Sequence, residues 1–186
     1  PLTSIQEETI KTIYNPLLNG ISLNNNFTKS GYNLREIGLE IRKIIDHPFL
    51  IKENENKALQ EKKKSFPSNS YAIQKDLFIE SSGKLFVLDL LLKKFKNESK
   101  NVIILCQTLD AIEILEKYIS KLYSYERVDV FTRGKSRYDA IKQFNDNSRR
   151  IFAFLLDAKA GYFSMKADCV IIYESDWNPK NDVFIA

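Results

Sequence analysis

Few side chains in this sequence stand where they could do chemistry. Asp176, beside Trp177, follows an apolar run and could give or take a proton. A general acid or base needs a second group within hydrogen-bond reach, and the sequence identifies no partner for it, so a carboxylate closing a strand is the simpler reading. His47 is the single histidine, too few for a His-based metal site; with Pro48 and Phe49 behind it, it reads as a helix stop with an aromatic anchor. Cys106 and Cys169 lie far apart, each inside an apolar run. That spacing is neither a disulfide framework nor a metal site, and both read as small buried hydrophobes in a reducing compartment. The sequence contains no G-x-x-x-x-G-K-S/T phosphate loop, no G-x-G-x-x-G, no H-E-x-x-H and no G-x-S-x-G. The chain by itself therefore cannot hold a nucleoside triphosphate in the P-loop manner, and no residue is assigned as catalytic or metal-ligating.

The elements that position these residues fall into two stretches. Residues 1–80 are polar and rich in Asn and Lys, and read as helices joined by loops, ending in a charged linker. Ile5, Thr9, Ile13 and Leu17 share one face of a helix that should end near Asn19-Gly20. Asn33 caps a second helix with Leu34, Ile37, Ile41, Ile44 and Ile45 on its apolar face, stopped by Pro48. The linker, Glu53 to Ser70, carries lysines at 62–64; this is a solvated loop, with nuclear import or DNA contact as the sharper alternative.

From residue 81 the pattern alternates. Amphipathic helices are expected over Lys84–Phe95, Asp110–Leu122 and Tyr138–Phe144, and strands over Asn101–Cys106, Arg127–Phe131, Ile151–Leu156 and Cys169–Tyr173. Short, continuously apolar strands between helices mean a parallel sheet covered on both faces, so the class is α/β with crossover helices, preceded by a helical segment. The 186 residues suit one full-sized domain. A net charge of +4 with a pI near 8.9 permits an acidic partner without requiring one. No apolar run is long enough to cross a bilayer, so no membrane partner is expected. The start of the chain, lacking both an initiator methionine and a signal profile, suggests a trimmed or fragmentary chain.

Several separated blocks, in order, resemble the C-terminal RecA-like lobe of the SWI/SNF helicase-like chromatin-remodeling ATPases. Leu39 to Ile51 resembles that family's LRK-x-C-NHPYL segment. Ser82-Gly83-Lys84-Leu85, with Leu88, Asp89, Leu91 and Leu92, resembles its SGKL helix. Val102 to Gln107 resembles the VLIFSQ strand, and Arg127-Val128-Asp129, with Arg137, Ile141, Phe144 and Asn145, resembles RLDG and the helix after it. Phe152 to Leu156 resembles FVFLL. Ala167 to Asp182 agrees with ADTVIIYDSDWNPQND at almost every position and is the most specific block. The blocks cover the chain from about Asn33 to its end.

The resemblance implies a nuclear protein whose partners are DNA or nucleosomes, an N-terminal RecA-like lobe, and subunits of chromatin complexes. It places Gln107, Thr108, Lys159 and Trp177 near DNA. In an active motor, ATP and Mg²⁺ sit between the two lobes, and the second lobe adds a STRAGGLGINL loop and an arginine-bearing RAHRIGQ helix. Here the loop reads Asp157 to Lys166. Lys159-Ala160-Gly161 remains, but Asp157-Ala158 replaces Ser-Thr, Tyr162 and Ser164 replace two glycines, and about three residues are missing before Ala167. Asp157, Ala158, Gly161 and Ser164 thus mark a degenerate nucleotide-proximal loop. Tyr162 and Phe163 should close its backbone to a phosphate, and Asp157 should repel one. The sequence stops before the RAHRIGQ position, so the lobe reads as truncated. This pattern resembles degenerate remodeler-like proteins of plant gene silencing and implies a lobe that is non-catalytic by itself and binds no cofactor alone. The alternative is a fragment of a working ATP-dependent DNA translocase.

Overall fold

The computed structural model describes residues 2–23, 34–51, 76–132, 134–146, 150–161, 163–178 and 180–182. The Asn33 cap, the linker over 53–70 with its lysines, Tyr162 and Pro179 lie outside the described residues. The chain divides into two compact units, Pro1–Asp89 and Leu90–Ala186.

In the first unit, α1 (Ser4–Leu23) and α2 (Leu34–Asp46) precede a 3-10 turn, Pro48–Leu50. Helix α1 runs through Asn19-Gly20 instead of ending there; one helical glycine costs only about 1 kcal/mol against alanine, too little to break a helix alone. Ile37, Ile44, Leu85 and Leu88 are buried as the helical spacing predicts. A polar hub joins these helices. Gln6, 1% exposed, donates to the carbonyls of Ile44 and Ile45, each at 2.9 Å, in the last turn of α2 where helical carbonyls have no partner of their own. Its side-chain oxygen accepts from Thr3 N (3.0 Å) and Gly83 N (3.3 Å). His47 is fully buried: Nδ1 accepts from Phe49 N (3.1 Å), Nε2 lies 2.9 Å from Phe78 O, and the ring stacks on Phe78. An accepting Nδ1 and a carbonyl at Nε2 assign the neutral Nε2–H tautomer, which makes His47 structural. Ser82 Oγ donates to Asp46 O at 2.9 Å, and Lys84 pairs with the Asp46 carboxylate. The Ser-Gly-Lys block thus fastens the start of α3 (Gly83–Asn97) to the end of α2.

The second unit holds a parallel four-stranded sheet in the order β2-β3-β1-β4, from β1 (Val102–Cys106), β2 (Tyr125–Val128), β3 (Ala153–Asp157) and β4 (Cys169–Ile172). This is the α/β class that the apolar runs predict. Both interior strands, β1 and β3, are buried at every residue. Edge position makes β4 different: Val170 is 43% exposed and Cys169 only half-buried, against the expectation of a strand covered on both faces. The second strand starts before Arg127 and ends at Val128, because the Asp129 carboxylate accepts from Phe131 N (2.8 Å) and Thr132 N (3.0 Å) and turns the chain.

Helix α4 (Leu109–Ile119) packs Ile112, Leu115 and Ile119 inward; Leu122 lies beyond its end and is exposed. Helix α5 (Gly134–Asn145) brings Phe144 edge-on to Phe154, ring centroids 5.1 Å apart, in a core with Ile103, Leu105, Val128 and Leu156. Each fully buried aliphatic or aromatic side chain there stabilises by about 1.5–3 kcal/mol. Among the described residues no helix is long and apolar enough to cross a membrane.

Candidate functional site

In an open parallel sheet the loops leaving the carboxyl ends of the strands collect on one edge, where such folds bind ligands. Cys106 is in register with Asp157, and Leu105 with Ile172. The turn after β1, Gln107-Thr108, is therefore flanked by the segment after β3 and the segment after β4. Six of the eight residues expected near DNA or nucleotide lie in these three segments, Gln107, Thr108, Ala158, Lys159, Gly161 and Trp177, and a seventh, Asp157, closes β3.

Ser164 is the exception. The chain from β3 must return to the opposite edge before β4 begins, and residues 163–168 make that crossing without helix or strand. Ser164 lies along it, its carbonyl accepting from Asn145 Nδ2 at 3.2 Å.

Glu174, 1% exposed, holds the turn after β1. Its carboxylate accepts from Gln107 N (2.9 Å), Thr108 N (3.0 Å) and Thr108 Oγ1 (3.0 Å). The Thr108 hydroxyl oxygen also accepts from Ala111 N at 3.3 Å, capping α4. A buried carboxylate among three donors is a charge-assisted clamp, stronger than the same bonds between neutral groups. Sequence reasoning treats Glu174 as one letter of a matched block; its signal was an acid just past the apolar run of β4. Gln107, 7% exposed, has a side-chain nitrogen without a partner among the described residues.

Asp157 does not face outward as expected. It is 1% exposed, and its carboxylate caps the 3-10 turn Ala158–Ala160 by accepting from Lys159 N at 2.8 Å. Gly161 follows at φ 109°, ψ 179°, a conformation open essentially to glycine alone. Phe163 does not stand in the cleft either: it packs against the core, with the Arg137 guanidinium 5.4 Å from its ring centre. Lys159 is exposed, and Trp177 is 77% exposed. Asp176, the candidate acid, builds a turn by accepting from Asn178 N (2.8 Å) and Asn181 Nδ2 (3.0 Å).

At the end of β2, Arg127 pairs with Asp129 (2.7 Å) and Glu116. Burial pushes the Asp129 carboxyl up, but the Phe131 N–H, the Arg127 guanidinium and the donors of Thr132 outweigh it and hold it below the ordinary aspartate value. Burial likewise lowers Arg127, while Glu116 and Asp129 raise it on balance.

A triphosphate cradle needs open backbone N–H groups, and those of Gln107, Thr108 and Lys159 already face carboxylates, which would also repel the anion. Among the described residues no group of three or more His, Cys, Asp or Glu could hold a metal ion.

A family model described as the helicase conserved C-terminal domain matches residues 83–185. The chain is similar to Homo sapiens chromodomain-helicase-DNA-binding protein 7, 39% identical over 155 residues, covering 81% of this chain and 5% of that protein. It is similar to Danio rerio chromodomain-helicase-DNA-binding protein 8, 33% identical over 186 residues, covering 98% of this chain and 7% of that protein. The chain thus spans only a small part of the length of the curated relatives it matches. Two solved structures share its fold. The Sulfolobus solfataricus SWI2/SNF2 ATPase core in complex with dsDNA has a TM-score of 0.70 at 22% identity, covering 98% of this chain and 35% of that one. The C-terminal part of the Fun30 ATPase domain has a TM-score of 0.65 at 21% identity, covering 98% and 75%.

Proposed function

This chain belongs to the helicase conserved C-terminal domain family, as a RecA-like lobe of the SWI/SNF type, and from that premise we propose that it binds duplex DNA through the carboxyl edge of its sheet without cradling a nucleotide of its own. One observation carries the reading. Exposed Lys159 and Trp177 stand at the carboxyl edge of the sheet, whereas the backbone N–H groups of both turns are taken by Glu174 and Asp157. The first set suits a phosphate backbone approached from outside; the second leaves little for a triphosphate. DNA in the solved complex with the SWI2/SNF2 core of similar fold supports the same partner.

The protein carrying this lobe then works in the nucleus on DNA or nucleosomes, with an N-terminal RecA-like lobe and chromatin-complex subunits as partners, in chromatin organisation or transcriptional gene silencing. The filled turns support the reading that the lobe is non-catalytic by itself. A second reading, part of a working ATP-dependent DNA translocase, is favoured by its similarity to relatives named as helicases.

Steady-state ATP hydrolysis by the full-length protein, with and without nucleosomes, separates the two. The first reading expects no stimulation. A nucleosome-dependent rise of about tenfold or more would establish the translocase instead.

A further inference from the structure

At the carboxyl edge of the sheet Phe131, 73% exposed, leaves nearly as much of its ring in water as Trp177 does. One exposed apolar side chain is ordinary on a folded protein. Phe131 differs in how it is held. It stands in the turn after β2, where the Asp129 carboxylate accepts from Phe131 N (2.8 Å), Thr132 N (3.0 Å) and Thr132 Oγ1 (3.1 Å). Arg127 Nε donates to the same carboxylate at 2.9 Å, and Asp129 N donates to Thr132 Oγ1 at 3.2 Å. The backbone of the turn is thus fixed while the ring it carries packs on little. A group presented on a fixed backbone gives up little conformational freedom when a ligand arrives.

Charge around the turn favours an anion. Arg137 Nε donates to Thr132 O at 2.9 Å, which ties the first turns of α5 to the turn after β2. Along α5, Lys135, Arg137 and Lys142 stand against the single acid Asp139. Among the described residues Lys135, Arg137 and Lys159 make no ion pair. Asp129 is itself buried and already shared among its donors.

The outer strands β2 and β4 lead to Phe131 and Trp177, and Lys159 follows β3 between them. Three strand-to-strand steps set the two outer strand ends roughly 14 Å apart, the length of about four base steps along one DNA strand. Cations interleaved with exposed rings suit unpaired nucleotides, because the cations follow the phosphates and a ring stacks on a base. An intact duplex offers no such base face, each being covered by its neighbours.

We propose that Phe131 is a stacking residue for an unpaired base, so that this edge takes DNA with an unpaired stretch more tightly than an intact duplex. This role rests on the DNA reading of the same edge. Lys135, Arg137 and Lys159 meet phosphates in either substrate, and only the unpaired one gives Phe131 a partner.

The test is fluorescence anisotropy on the 186-residue chain, with two fluorescein-labelled probes, an intact duplex and the same duplex with a short central mismatched bubble. The bubble is expected to bind about tenfold tighter. Phe131→Ala should weaken bubble binding by about fivefold to tenfold and duplex binding by less than about twofold. Phe131→Leu, apolar without a flat ring, should lose as much as the alanine variant, and Phe131→Trp should keep the preference. The side chain is exposed, so the thermal midpoint should hold in all three. Equal parental affinity for the two probes, or an equal loss on both in Phe131→Ala, overturns the stacking role while the DNA reading stands. So does a Phe131→Ala variant unchanged on both probes, which would leave the ring to a protein partner. A parent chain that binds neither probe overturns the stacking role and the DNA reading together.

Discussion

After β1 the chain turns through Gln107 and Thr108, and the acceptor for both amides comes from Glu174, 67 and 66 residues away. After β3 it turns through Ala158–Ala160, and the acceptor for Lys159 N comes from Asp157, two residues away. The first turn takes shape only once β4 lies beside β1. The second is capped by its own sequence. Glu174 thus joins the block Ala167–Asp182, the most specific match to remodelers, to the turn after β1. A locally capped segment such as the one after β3 can hold its turn without a partner from elsewhere in the sheet.

The comparison is broken most directly at the clamp. Glu174→Ala strands the buried Gln107 N–H and the part-buried Thr108 N–H, and equilibrium urea denaturation should show a loss of about 3–4 kcal/mol, with Glu174→Gln losing about half as much. A loss below about 1 kcal/mol for the alanine variant would mean that the turn finds other acceptors.

Next in size is Gly161→Ala, which forces a Cβ into a backbone region reserved for glycine. It should cost about 1–3 kcal/mol by the same measurement. An unchanged midpoint would mean that the segment after β3 relaxes freely. Asp157→Ala removes a local cap and should cost about 1 kcal/mol, while Asp157→Ser keeps a capping oxygen and should stay within about 0.5 kcal/mol of the parent. If truncating Asp157 proves as damaging as truncating Glu174, the distinction between the local and the long-range acceptor fails.

The smallest of these effects concerns pH. Asp129 is held below its ordinary value, so its contribution is complete above the unfolded aspartate range and is lost as pH falls through the lower folded value. Urea midpoints measured from about pH 6 down to about pH 2.5 should fall on the acid limb, and Asp129→Asn should flatten that fall. An acid limb of equal steepness in the variant would assign the loss to other carboxylates.

Much of this was legible in the sequence because apolar runs state burial directly. The apolar runs over Asn101–Cys106 and Ile151–Leu156 announced strands covered on both faces, and the helical pattern over Asp110–Leu122 announced α4. What stayed hidden depends on register and on side chains bonding across the fold. Glu174 reaches Gln107 only because two parallel strands lie side by side, and Gln6 is a polar residue in an apolar setting because it serves the last carbonyls of another helix. The early end of β2 is a side-chain event at Asp129 that no run of apolar residues records. Edge position, which exposes Val170, follows from strand order, and apolarity alone does not report it. At the candidate site, the filling of the turn amides by Glu174 and Asp157 required the structure.

The central claim is that this edge meets DNA through its exposed residues. Duplex binding by the parent chain and by Lys159→Glu, followed by anisotropy across a salt titration, tests it most directly. The parent should bind with log affinity falling linearly in log salt, and Lys159→Glu should weaken binding and reduce that slope by about one. Equal affinity and equal slope in the two proteins would contradict the account.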